Sequence, residues 1–173
     1  MAVLALCYYG NPVLKKKSKE VKDIKDIEKL INNMVETMYE NNGLGLAAVQ
    51  VGELLNVFIM NALQNPEKNE KGVEEVFINP KIIKVYGKDT EIEEGCLCFP
   101  EIRGNVKRSS MVDIEYIDRE GIRKTETGVD GLRARTVQHE MDHLNGILFV
   151  DRLSPSRKLL LKKELKRIAR EYS

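Results

Sequence analysis

The segment QHEMDH, residues 138–143, holds both histidines of the chain, four residues apart, with a glutamate directly after the first. On a helix, positions i and i+4 lie on one face. His139 and His143 can therefore offer two imidazoles to one ion. Glu140 is angled away from ligation but close enough to reach a water held there. H-E-x-x-H is the arrangement of a hydrolytic metal site. The alternative, two unrelated surface histidines, would seldom fall into this layout in a chain with only two. The helix carrying this pattern is expected to be central, with mixed or antiparallel β-sheets packed around it.

A catalytic ion of this type takes three protein ligands and keeps one position for water. A continuation to a third histidine has Gly146 in place but meets Phe149 where the ligand belongs. A downstream glutamate could only be Glu164, which lies among lysines in LLLKKELKRIAR and reads as a solvated helix face. Cys96 and Cys98, in EEGCLCFPE, remain. Residues i and i+2 of an extended chain share a face, so backbone direction excludes neither sulfur; one of the two is expected to reach the ion. A closed Cys2His2 zinc site would need both, and would leave Glu140 without work.

The rest of the chain reads as one α+β domain spanning residues 1–173, since 173 residues bury an adequate core without staples and no linker divides them. Apolar residues at 24, 27, 30, 31, 34, 35 and 38 predict an amphipathic N-terminal helix over 24–41, stopped by Asn41-Asn42-Gly43. Strands are predicted at 57–60, 76–78, 82–86, 112–118 and 122–128, with Asn79-Pro80 breaking the second from the third and QNPEKNEKG (64–72) as a polar loop. Residues 131–144 return to helical spacing through Leu132, Val137, Met141 and Leu144, and Asn145-Gly146 ends that helix. Ser154-Pro155 opens a C-terminal helix over 154–171.

A net charge of +1 gives no bulk field to recruit nucleic acid, so direct DNA binding is not expected. No run approaches the ~18 apolar residues of a membrane helix, so no membrane partner is expected either. The odd cysteine count argues for a reducing compartment. MAVLALC lacks the basic region and the length of an export signal, and no transit peptide is visible. The expected location is a cytoplasm.

Three segments together closely resemble the peptide deformylase family: Gly43–Gln50 (GLGLAAVQ) matches its GxGxAAxQ motif, Glu94–Cys98 (EGCLC) its EGCLS motif with one change, and Gln138–Leu144 (QHEMDHL) its QHExDHL motif without change. Order and spacing fit as well, over about residues 8–153. GLGLAA alone could suggest a dinucleotide fingerprint, but that motif must follow a strand and open a helix, and here a helix precedes it.

The resemblance implies that Cys96, His139 and His143 hold one divalent metal, iron(II) as the native ion with zinc, nickel or cobalt as substitutes. It implies removal of the formyl group from the N-terminal formyl-methionine of nascent polypeptides, releasing formate. Glu140 would take and return the proton, and the Gln50 amide and Leu97 backbone N–H would face the developing oxyanion. Ile92, Leu132 and Thr136 fall at positions of the methionine pocket. Gly43, Gly45 and Gly95 fall where backbone meets the peptide, and Arg103 at the cleft mouth. Two other readings compete: a general metallopeptidase, with a glutamate as third ligand, and a structural zinc domain. The sequence departs from the family at Cys98, where serine is usual, and at Arg133, expected on the solvent face. Residues 151–173 carry eight Lys/Arg against three Asp/Glu. In related bacterial enzymes a C-terminal helix docks on the ribosome, and a basic helix suits rRNA phosphates.

Overall fold

Five strands form one antiparallel sheet in sequence order: β1 (Gly45–Ala47), β2 (Val57–Asn61), β3 (Glu74–Gly95), β4 (Arg103–Ile117) and β5 (Arg123–Val129). Helices α1 (Glu28–Glu40) and α2 (Gly131–Leu144) cover it, and α3 (Pro155–Leu160) and α4 (Lys162–Glu171) close the chain. This computed structural model describes residues 2–63 and 71–172. The expected polar loop at 64–72 lies mostly outside the described residues.

The placement of the two main helices follows from β2, which is buried along its whole length. Successive strand residues face opposite sides. Val57 and Ile59 join Ile31, Met34 and Met38 of α1 in one core. Phe58 and Met60 join Phe77, Val112, Ile114 and the Ala134, Val137 and Leu144 of α2 in another. The sheet is thus sandwiched, and α2 is central. A third core packs Leu161, Leu165 and Ile168 of the C-terminal segment on Cys98, Phe99 and Phe149.

The fold is α+β, as the sequence predicts, and several details differ. The break at Asn79-Pro80 is absent: β3 runs through as one strand, with a register shift between Ile78 and Lys81. The bulge absorbs the proline, which has no N–H to pair. Asn79, at φ 48°, bonds Val21 through both ends of its side-chain amide, at 2.8 Å each. The strand predicted at 112–118 begins nine residues earlier, at Arg103, because the β3–β4 ribbon extends beyond the core. The C-terminal helix is interrupted at Leu161. Arg133, expected on the solvent face, is half-buried and pairs with Glu75 and Glu126 at 2.6 and 2.9 Å. Among the described residues, no helix is long and apolar enough to cross a membrane.

Candidate active site

Val137 and Leu144 of the apolar stripe predicted for α2 lie in the core and Met141 packs against it, but the stripe is only part of what the helix buries. Leu132 is 42% exposed, while Arg135, Gln138, Glu140, Asp142 and His143 are buried. A helix with this many polar residues inside must satisfy most of them internally; among the described residues, Glu140 Oε2 and His143 Nδ1 are left without a partner.

On one side lie the donors. Cys96 follows β3, and its Sγ stands 3.2 Å from His143 Nε2, which stands 3.2 Å from His139 Nε2. Ligand atoms of all three residues fall within 4.8 Å of one another. Bonds of about 2.0–2.3 Å from such donors to one tetrahedral ion put neighbouring ligand atoms about 3.4–3.6 Å apart. The donor set therefore fits a divalent transition metal. Burial, first, and Cys98 push the Cys96 thiol above its usual range, against the pull of the imidazoles. An ion there would displace that proton, because the thiolate is the ligand form. Cys98 stands outside this cluster, and Glu164 is exposed on α4.

Glu140 is 3% exposed, and its Oε2 has no hydrogen-bond partner among the described residues. Burial pushes its carboxyl up to about 7, against the opposing charges of His139 and Arg108. Its place is reserved by Gly45: a Cβ there would come within 2.6 Å of Glu140 Oε1. Gly43 makes similar room, for Leu97, whose Cδ1 would lie 3.1 Å from a Cβ. Gln50 sits on a short 3-10 turn after β1, fully inside. Its Oε1 accepts from the Ala47 N–H at 2.7 Å, which turns Nε2 toward Cys96 Sγ at 3.6 Å.

On the other side runs an ion network that the sequence reading passed over. His139 Nδ1 lies 3.0 Å from Glu94 Oε2. Glu94 accepts from Arg108 Nε and Nη2 at 2.7 and 2.9 Å, and from Arg135 Nη1 at 2.7 Å. Arg108 Nη1 continues to Asp142 Oδ2 at 2.8 Å, and Arg152 also donates to Asp142. Burial alone would push Glu94 up, but His139 and Arg108 outweigh it and hold the carboxyl far below its usual range. A carboxylate on Nδ1 fixes the ring so that Nε2 faces the donors. Glu94 and Asp142 stood inside the quoted motifs. Arg108 carried no local signal, since nothing in a strand of alternating polarity marks an arginine as interior.

The other expected residues are spread around this centre. β1 is the edge strand of the sheet, and Gly45 lies on it. Gly95 pairs with Arg103, whose side chain lies over it. Ile92 is 52% exposed, and buried Thr136 donates from Oγ1 to the Leu132 carbonyl at 3.0 Å. The structure thus brings Cys96, His139, His143, Glu140 and Gln50 together, and leaves Ile92, Leu132 and Arg103 at the surface.

The family model for polypeptide deformylase matches residues 3–159. Among relatives, the peptide deformylase of Christiangramia forsetii is 44% identical over 178 residues, covering 97% of this chain and 90% of its own. That of Thermotoga petrophila is 42% identical over 163 residues, with 94% of each chain covered. The peptide deformylase structure from Plasmodium falciparum superposes with a TM-score of 0.90 at 36% identity, covering 97% of this chain and 96% of that one. The one from Legionella pneumophila gives 0.87 at 36% identity, covering 98% and 96%. With sequence, fold and the match over residues 3–159 in agreement, the chain belongs to the polypeptide deformylase family.

Proposed function

We propose that this chain is a metal-dependent hydrolase that removes the N-formyl group from the N-terminal formyl-methionine of newly made polypeptides and releases formate. The observation that carries this reading is a buried, unpartnered carboxylate, Glu140, beside a three-donor cluster of one thiol and two imidazoles. Cys96, His139 and His143 would hold one divalent ion, iron(II) by resemblance to the family, with zinc, nickel or cobalt as substitutes. Such an ion supplies a Lewis acid that polarises the formyl oxygen and makes water nucleophilic near neutral pH.

The remaining steps fall to the protein. Glu140 accepts a proton from the attacking water, and a pKa near 7 suits it to both uptake and return. The new C–O bond puts negative charge on the formyl oxygen, where Gln50 Nε2 and the Leu97 N–H donate to it. The C–N bond then breaks, and Glu140 passes its proton to the departing amine nitrogen. One water is consumed, and formate and a free amino terminus leave. The peptide adds as a strand along the open edge at Gly43 and Gly45, with Gly95 and Arg103 across from it. Ile92, Leu132 and Thr136 receive the methionine side chain. Half-exposed Ile92 and Leu132 suit residues that wait for an apolar ligand.

The same reading extends to the C-terminal helices in a bacterial cytoplasm. Leu159 and Leu160 are 68% and 71% exposed beside exposed Lys158, Lys162 and Lys163, a face suited to the phosphates of ribosomal RNA. Salt-sensitive cosedimentation with ribosomes tests it.

The central experiment supplies anaerobically purified protein with N-formyl-methionyl and N-acetyl-methionyl tripeptides. Formate from the first, with no acetate from the second, is the expected outcome. Failure on the formyl peptide, with one metal per chain bound, would overturn the reading.

A further inference from the structure

An oxyanion donor works only if its N–H is aimed before the charge appears. Gln50 carries two Nε2 hydrogens in the plane of its amide, so a partner on one of them, with the bond on Oε1, holds that plane and with it the direction of the other. Cys98 is fully buried, lies outside the three-donor cluster, and places its Sγ 3.5 Å from Gln50 Nε2. Ala47 N–H holds the other end of the same amide. We propose that Cys98 is a positioning residue: it takes one Gln50 N–H and leaves the second pointing toward the Cys96 side, where the formyl oxygen develops its charge. The inference rests on Gln50 being the oxyanion donor. Both sulfurs stand beside this amide, Cys96 at 3.6 Å and Cys98 at 3.5 Å, but Cys96 also joins the imidazole cluster and Cys98 does not.

The backbone supports this arrangement. Cys7 N–H donates to the Gln50 carbonyl at 2.7 Å, and Tyr9 N–H donates to the Cys98 carbonyl at 3.0 Å. One short extended segment therefore ties the chain carrying the amide to the chain carrying the sulfur. Gly10, at φ 108°, then turns the segment against Ala169 of α4, whose Cα and Cβ would each lie 2.9 Å from a side-chain carbon there. The segment is held from behind, so the distance between Gln50 and Cys98 is fixed from both backbone sides.

The test is a double-mutant cycle of Cys98→Ala and Gln50→Ala, with Cys98→Ser as the conservative variant. Each is loaded with the same metal, measured for metal content, and followed by kcat and KM on a formyl-methionyl peptide. A misdirected donor should lower kcat between about threefold and a hundredfold, with KM and metal content unchanged. Cys98→Ser should recover most of the loss, because a hydroxyl also accepts an N–H. On the Gln50→Ala background, Cys98→Ala should cost nothing further. Independently of activity, the 15N-labelled Gln50 side-chain amide should become more mobile in Cys98→Ala and regain order in Cys98→Ser. Unchanged kcat in Cys98→Ala, or the same loss with and without Gln50, would overturn the proposal. Full kcat in Gln50→Ala would instead remove the oxyanion reading beneath it, and the inference with it.

Discussion

Gly45→Ala isolates the contact that sets the position of Glu140, the proposed general base. The added Cβ would lie 2.6 Å from Glu140 Oε1 and 3.0 Å from both Cδ and Cγ. Carbon atoms prefer separations of about 3.5–4.0 Å, so the Glu140 arm must retreat by roughly 0.5–1 Å. It cannot swing into solvent, because the residue is 3% exposed within a packed core. Overpacking of this kind costs about 1–3 kcal/mol, which thermal unfolding would register as a modest fall in Tm. The catalytic effect should be larger in proportion: a displacement near 1 Å costs on the order of a hundredfold in rate. The loss should fall on kcat, with metal content intact, because no donor of the cluster is touched. Formate release under saturating formyl peptide measures it. A variant with parental kcat would refute the assignment of the base position. A loss confined to KM would show instead that Gly45 serves only the peptide backbone.

Arg108→Met should destabilise by about 1.5–3 kcal/mol, since it removes charged hydrogen bonds from two buried carboxylates that still keep Arg135 and Arg152, and urea unfolding would read that directly; a cost below about 1 kcal/mol would contradict the network's weight. Glu94 has a folded-state pKa below its unfolded value, so its contribution is complete above about pH 4.5 and is lost as pH falls through the folded pKa. Unfolding free energy should therefore drop on acidification below about pH 4.5, and Glu94→Gln should flatten that slope. Chelation should remove metal and lower Tm, because an ion bound only by the folded state stabilises it, by about 2.7 kcal/mol at a hundredfold excess over Kd. Cys96→Ala should show little further change on chelation, and an unaltered parental Tm after metal loss would count against the cluster as the binding site.

Much of the site is local chemistry, and therefore legible along the chain. His139 and His143 share a face because a helix repeats every 3.6 residues, and Glu140 follows the first of them wherever the helix lies. The spacing of Cys96 and Cys98 did not say which sulfur meets the imidazoles, because residues i and i+2 of an extended chain share a face. The amphipathic stripe over 24–41 became α1, since one face of a surface helix must find the core. Periodicity placed α2 and its buried Val137 and Leu144, but the local pattern misled at Leu132, which belongs to the surface, and gave no sign that Arg135, Gln138 and Asp142 lie inside. It also misled at Asn79-Pro80, where a bulge and two bonds to Val21 keep the strand whole.

What the sequence by itself determined is the set of reactive groups and their local spacing, because these depend only on covalent distance and helix or strand period. Only the tertiary structure decided which distant groups meet. Gly45 faces Glu140 across 95 positions, and Cys98 meets Gln50 at 3.5 Å. Arg108 ties Glu94 and Asp142 into one buried ion network. Such pairings arise from the closing of the sheet between its two helices. No local rule encodes them, because burial, and hence the strength of each charge and hydrogen bond, is a property of the whole packed chain.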